Sequence, residues 1–253
     1  MIIDQKTSKK INKIAINAGK EILKIYKKPF ISKLKIDGSP VTEADLAANK
    51  FICKELTKLD SKIPIISEEN MNKKIKKSKT FWLVDPLDGT KEFIKKNGEF
   101  TVNIALIKNE KPIHGVIYWP VKKIIYYTIN KKSYYSKLNK NNDLLFTKRV
   151  QAKKRKGKNR ILITSRSHAK NIKLIKEKLK ITHSIIMGSS IKFCYIASGK
   201  ANIYPRIGNT MEWDTAAGDA ILRNAGGRVR TLNGKVLKYR KRGFKNKSFI
   251  ARS

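Results

Sequence analysis

Apolar residues Ile11, Ile14, Ala15, Ala18, Ile22 and Ile25 recur at three- and four-residue steps, which predicts an amphipathic helix over residues 7–27. A second helix is predicted from Thr42: "VTEAD" has the form of a capping box, and Leu46, Ala47, Phe51 and Leu56 line one face behind it. Short apolar runs then follow without intervening helices: "IPII" from Ile63, "FWLV" from Phe81, "TVNIALI" from Thr101, "IHGVIYW" from Ile113 and "IIYYTI" from Ile124. Their close succession predicts a largely antiparallel sheet. The polar, basic stretch "QAKKRKGKNR" from Gln151 is expected to join an N-terminal part, about residues 1–150, to a C-terminal part, about residues 151–253, of one domain. Beyond it the pattern alternates: a strand "RILIT", a helix from about Ala169, a strand "SIIM", a helix "SSIKFCYIASG", a strand "ANIY" and a helix "TAAGDAILRNAGG". Helices, a meander and then alternation together predict an α+β or α/β layered sandwich.

A chain of 253 residues with 40% apolar and 8% aromatic content can bury a sizeable core. Its 58 Lys and Arg against 19 Asp and Glu leave a net charge of +39. Such a charge attracts nucleic acid, anionic membrane surfaces and phosphorylated metabolites without choosing among them. Weak association with RNA or with the inner membrane surface is therefore an open expectation, and so is a Lys-, Ile- and Asn-rich composition set by AT-rich coding. No basic-then-apolar leader opens the chain and no run of about 18 apolar residues occurs, so a cytoplasmic location is expected, peripheral at the membrane at most. Cys53 and Cys194 lie inside apolar helical patterns and read as reduced core thiols; His114, His168 and His183 share no zinc-ligand spacing with them.

Acids are scarce, so their positions carry information. Glu68 and Glu69 follow "IPIIS", Asp85 and Asp88 follow "FWLV", and Asp214 follows a Trp at the start of the last helix. Neighbouring strands would bring Glu68, Asp85 and Asp88 into one crevice at their C-terminal ends. Carboxylates about 4 Å apart repel by roughly 4 kcal/mol at an effective dielectric of 20, so such a cluster calls for cations or protons. Oxygen ligands alone suit Mg²⁺ or Mn²⁺ and disfavour zinc. Pro86 withholds an N–H between the aspartates and leaves the Leu87 carbonyl free to face the same site. Gly89 and Thr90 can open a short helix whose amides would face an anion beside the cations. Taken singly, each feature has a plainer reading: "DPLDG" as a turn, Glu68-Glu69 as a solvated loop pair, Asp214 as a helix N-cap, and Thr42 with Asp45 as a capping box.

The segments "SEE" from Ser67, "WLVDPLDGTKEFIKKNGEFTVNIALI" from Trp82, "SRSHA" from Ser165, "GSSIKFC" from Gly188 and "WDTAAGDA" from Trp213 closely resemble, in order, the inositol monophosphatase superfamily. Within it, "SPVTEAD" and the Lys91-Glu92-Phe93 that follows "DPLDGT" are similar to the 3′(2′),5′-bisphosphate nucleotidases of the bacterial CysQ type, rather than to inositol monophosphatases, where an Asn-aromatic pair follows. The resemblance implies an α-β-α-β-α sandwich and a phosphomonoesterase that hydrolyses adenosine 3′,5′-bisphosphate to AMP and phosphate in sulfate assimilation.

It further implies two or three Mg²⁺ ions held by Glu68, Asp85, Asp88 and Asp214 through side chains and by Leu87 through its carbonyl, with Li⁺ competing at one position. Asp45 and Thr90 are implied to activate the attacking water, with Glu68 beside them. For Asp45 that duty and the helix cap compete for the same oxygens. Gly89, Thr90 and Asp214 are implied at the phosphate being removed, and His168, Ser189, Lys192 and Arg206 at the rest of the nucleotide. Three of the last group have a plain alternative: a surface loop for His168, the solvated face of a helix for Lys192, one more base among many for Arg206. An inositol or sugar phosphatase on the same fold, and a basic nucleic-acid-binding protein on an old phosphatase scaffold, stand as alternatives. Glu212, beside the last metal ligand, is expected to face water.

Overall fold

The apolar stripe of the first helix becomes the outer layer of the molecule. In this computed structural model, which describes residues 3–71, 78–166 and 173–253, α1 spans Gln5–Tyr26 and buries Ile11, Ile14, Ala15, Ala18 and Ile22. Asp4 caps it by accepting the Thr7 N–H at 2.7 Å. A short hairpin, β1 (Ser32–Leu34) and β2 (Pro40–Thr42), leads into α2 (Glu43–Leu59), and the two helices pack side by side.

Beneath them, among the described residues, lies a sheet of eight strands: β3 (Ile65–Ser67), β4 (Asn70–Met71), β5 (Thr80–Asp88), β6 (Thr101–Lys108), β7 (Lys111–Trp119), β8 (Ile124–Ile129), β9 (Lys132–Leu138) and β10 (Leu144–Val150). Its order is β10-β9-β8-β7-β6-β5-β3-β4, and every pairing is antiparallel except β3 with β5. The run "FWLV" in β5 is apolar throughout because both faces of the strand are covered. Trp82 and Val84 join Val102, Ile104, Leu106 and Val116 under α1 and α2, whereas Phe81 and Leu83 join Ala105, Ile107 and Ile117 on the other face.

That second face receives α5 (Ile191–Ala197) and the almost wholly buried α6 (Trp213–Asn224) through Phe193, Ala217 and Ile221. The far side of these helices rests on a five-stranded sheet of order β12-β11-β13-β17-β15, made of β11 (Ile161–Thr164), β12 (His183–Ile186), β13 (Ile203–Arg206), β15 (Arg228–Thr231) and β17 (Phe249–Arg252). β14 (Thr210–Met211) and β16 (Lys245–Asn246) form a separate small pair. The short α4 (Lys173–Lys178) closes the stack by packing Ile175 on Leu162 and Ile203. The layers therefore run α-β-α-β-α. Each fully buried Ile, Leu or Phe between them contributes about 1.5–3 kcal/mol, so the layers are held chiefly by apolar burial.

The capping box at Thr42 and the order of the strands follow the pattern of the sequence, with α2 starting at Glu43. The hairpin β1–β2 and the strands β9, β10, β15 and β17 are additions. β10 exposes Leu144, Leu145 and Phe146, and as an edge strand it shows no clean alternation to read. Residues 169–172, where the helix before "SIIM" is expected to begin, lie outside the described residues.

Candidate active site

The stretch "DPLD" is not a turn after a strand but a bulge inside one. β5 pairs Asp85 with Asn103 and Asp88 with Thr101, so four residues of β5 face three of β6. One extra residue reverses the side-chain alternation. Two aspartates three apart, which a regular strand would send to opposite faces, thus lie on the same side. Pro86 is tolerated there because the ladder is already interrupted. Asp85 anchors the bulge by accepting the Leu87 N–H at 3.1 Å. Gly89, with φ of 99°, then turns the chain into α3 (Thr90–Ile94). A Cβ on Gly89 would sit 2.9 Å from the Glu99 carbonyl, so the position requires glycine twice over.

Asp45 divides its oxygens between two duties. Oδ2 accepts the Thr42 N–H at 2.8 Å and the Thr42 hydroxyl at 2.6 Å, completing the capping box, and Oδ1 accepts the Thr90 hydroxyl at 3.0 Å. The cap and the pairing with Thr90 therefore coexist. The Leu87 carbonyl is the second acceptor near Thr90, at 3.3 Å. Burial raises the Asp45 pKa above the usual carboxylate range, against the opposing Thr42 and Thr90 hydrogen bonds.

The remaining acids feel one another. Burial, followed by the charges of Glu68, Asp88 and Asp214, holds Asp85 well above the ordinary range. Burial and then Asp88 push Asp214 up to about 8. Burial raises Glu68 and Asp88 as well. Each carboxylate also has a protein partner: Glu68 and Glu69 share the Lys35 ammonium at 2.7 and 2.6 Å, Asp88 accepts the Ser190 N–H and the Asn103 amide, and Asp214 accepts the Met211 N–H at 2.8 Å. Among the described residues, no three His, Cys, Asp or Glu side chains are arranged as a group that could hold a metal ion.

A cleft of about 530 Å³ is lined by Asp88, Gly89 and Asp214 together with Ser189, Lys192 and Arg206, with Lys91, Lys95 and Arg166 also on its walls. Lys192 is only 4% exposed, which overturns its reading as a solvated helix face. Its ammonium donates to the Met187 and Ser189 carbonyls and lies 5.2 Å from the centre of the Tyr204 ring. Burial pulls its pKa down to about 8, against the opposing charge of Asp88. The Arg206 guanidinium donates to the Asn209 carbonyl at 3.0 Å. His168 lies outside the described residues. A larger groove of about 800 Å³, lined by Lys158, Lys173, Lys176 and Lys180, holds a single acid, Glu177, and none of these carboxylates.

Two expectations near Asp214 are corrected. Asp214 does not cap α6; Glu212 holds the cap position, without a side-chain cap bond, and Asp214 lies in the first turn. Nor does Glu212 face water: it is fully buried, accepts the Arg240 and Lys241 N–H groups and pairs with the Lys241 ammonium at 2.5 Å. Lysine and backbone donors from a loop nearly thirty residues on leave no trace in the local sequence. Lys35, Asn103 and Ser190 are likewise unforeseen members of the site. The sequence signal for Asn103 is a polar residue inside an otherwise apolar run; Ser190, in "GSSIK", has no such signal.

The sequence profile of the inositol monophosphatase family matches residues 4–253. The chain belongs to that family. Among its relatives, the 3′(2′),5′-bisphosphate nucleotidase CysQ of Buchnera aphidicola is 44% identical over 235 residues, covering 91% of this chain and 86% of the relative. The CysQ nucleotidase of Escherichia coli K12 is 42% identical over 242 residues, 93% of this chain and 95% of its own. The crystal structure of CysQ from Bacteroides thetaiotaomicron superposes with a TM-score of 0.83 at 39% identity, covering 98% of this chain and 97% of that one.

For a member of this family, the donor set fits a hard divalent cation. The acids offer oxygen alone, Asp85 is buried and Glu68, Asp88 and Asp214 are partly so, and their raised proton affinities show that the site as built favours added positive charge. Among the described residues no helix is long and apolar enough to cross a membrane.

Proposed function

We propose that the protein is a Mg²⁺-dependent 3′(2′),5′-bisphosphate nucleotidase, converting adenosine 3′,5′-bisphosphate to AMP and phosphate. The observation that carries this reading is the pairing of opposite chemistries in one cleft, whose lining includes the Asp88 and Asp214 carboxylates and the buried Lys192 ammonium. A substrate with one phosphate to lose and a second to be held matches both. Identity of 42–44% over most of the chain to proteins named as such nucleotidases supports it.

Glu68, Asp85, Asp88, Asp214 and the Leu87 carbonyl are the groups that would hold two or three Mg²⁺ ions, which when bound would polarise the scissile P–O bond and lower the pKa of water. The chain's own residues do the rest. The Thr90 hydroxyl spends its proton on Asp45, so its lone pairs are turned outward to accept a hydrogen bond from water and aim it at phosphorus. Asp45, a stronger base than an ordinary carboxylate because it is buried, receives the proton through Thr90. The P–O bond to the 3′-oxygen breaks as the water oxygen bonds to phosphorus, and the departing oxygen takes a proton from a second water beside Asp214, which leaves as hydroxide. Asn103 and the Ser190 N–H keep Asp88 oriented throughout. Lys192, Arg206 and Ser189, joined by His168, bind the 5′-phosphate, where charge-assisted bonds give both grip and orientation.

Phosphate release from a substrate panel tests the reading. With Mg²⁺, adenosine 3′,5′-bisphosphate is expected to be hydrolysed with the highest kcat/KM; faster release from an inositol or sugar monophosphate would replace it with the sugar phosphatase alternative. A cytoplasmic enzyme with a small nucleotide substrate is the setting proposed. Contact with RNA or an anionic membrane surface rests on the +39 charge alone and adds nothing to the catalytic reading.

A further inference from the structure

Glu99 comes from the loop that enters β6, yet its bonds reach into the opposite half of the molecule. Its carboxylate takes both terminal nitrogens of Arg166, one at 2.8 Å, and also accepts the Gly188 N–H at 2.7 Å. Its carbonyl lies 2.9 Å from where a Cβ on Gly89 or on Gly188 would stand, so it is wedged between the two glycines of the cleft. Hydrogen bonds from Arg166 lead in lowering the Glu99 pKa against partial burial, so it is ionised when it makes them.

Two amides in one short loop are thus anchored on two carboxylates from across the molecule: Gly188 on Glu99 and Ser190 on Asp88. The residue between them, Ser189, is held at φ of 49°, a left-handed conformation that a serine seldom keeps unless its neighbours impose it. Ser189 and Arg166 both line the cleft, together with Lys192. The Lys192 ammonium in turn rests on the Ser189 carbonyl. Glu99 itself is 16% exposed and the guanidinium it holds 45%, so the carboxylate sits under the cleft while Arg166 stays open to it.

We propose that Glu99 is a specificity-positioning residue, which fixes Arg166 and the left-handed Ser189 loop so that the cleft discriminates for a substrate carrying a second phosphate. The proposal rests on the nucleotidase reading. Glu99 touches neither the reacting phosphate nor the carboxylate cluster; it acts through Arg166, Gly188 and, by way of them, Ser189 and Lys192. Losing a charge-assisted bond of this kind corresponds to a factor of about ten in binding.

Steady-state kinetics on adenosine 3′,5′-bisphosphate and on adenosine 3′-monophosphate, which lacks the second phosphate, test it in wild type, Glu99→Ala, Glu99→Gln and Arg166→Ala. Glu99→Ala is expected to raise KM for the bisphosphate about tenfold with kcat changed less than about threefold, and to raise KM for the monophosphate at least about fivefold less. Glu99→Gln, which keeps an acceptor for the Gly188 N–H, should recover part of the loss. Arg166→Ala changes a side chain half open to solvent, so it should fold even if Glu99→Ala does not, and it should show the same split. Equal losses on both substrates, or no loss on either, overturn the proposal while a wild-type preference for the bisphosphate leaves the nucleotidase reading intact. A wild-type enzyme that takes both substrates equally well overturns both.

Discussion

The acids and the lysine of the site meet opposite electrostatic problems with the same device, burial. Acids just after β3, in β5 and in α6 are crowded until each holds protons more tightly than it would in water. Lys192 is buried until it holds its proton less tightly, down to about 8. Acids that gain by meeting cations face a base that gains by meeting an anion, and a magnesium-bound phosphate substrate supplies both. Charge on the surface, however abundant in this chain, carries no such demand. Placement under the surface is what separates the site from the rest of the +39.

Removing the acid end should have the largest effect. Asp88→Asn is expected to lower kcat about a thousandfold or more, since it removes a ligand oxygen that is already oriented by Asn103 and Ser190. Its melting temperature should stay level or rise in metal-free buffer, because a repelled carboxylate is gone; turnover near wild type would remove Asp88 from the metal site. Thr90→Ala comes next, with about a hundredfold loss in kcat and little change in KM, the size of a general-base contribution. A loss confined to KM would recast Thr90 as a binding group.

Lys192→Met keeps the volume and removes the charge. It should raise KM for the bisphosphate about tenfold or more while kcat falls far less. Equal change in both constants would place Lys192 in the chemistry instead.

The smallest effect is on stability, and its sign differs between Asp214 and Lys192. Asp214 at about 8, against an ordinary 3.8, keeps a proton in the folded state that the unfolded chain has released, so its contribution to metal-free stability is lost as pH rises from about 4 to about 8. Lys192 at about 8, against 10.5, has released a proton that the unfolded chain still carries, so its contribution rises as pH climbs from about 8 to about 10.5. Denaturant melts in chelator at pH 5, 8 and 10 should show the first slope flattened in Asp214→Asn and the second in Lys192→Met. Slopes unchanged from wild type would contradict the corresponding shift.

Where burial follows local periodicity, the sequence was legible. The stripe of α1, the capping box at Thr42, the doubly covered run in β5 and the alternation of the second half all map onto the layers. Asp85, Asp88 and Glu68 stood out because acids are rare and sit at the ends of apolar runs. What the sequence could not show are the contacts that cross the molecule. The bulge that turns Asp85 and Asp88 to one side depends on register with β6, Glu212 depends on a loop at residues 240–241, and Glu99 depends on Arg166 and Gly188. Edge strand β10 escaped because its exposed face is apolar and its pattern lacks alternation.

A crystal structure with adenosine 3′,5′-bisphosphate, trapped by Ca²⁺ in place of Mg²⁺, tests the division of the cleft most directly. The 3′-phosphate is expected among Asp85, Asp88 and Asp214 and the 5′-phosphate against Ser189, Lys192 and Arg206. A nucleotide bound in the reverse sense, or with its 5′-phosphate turned to solvent away from Lys192, would contradict it.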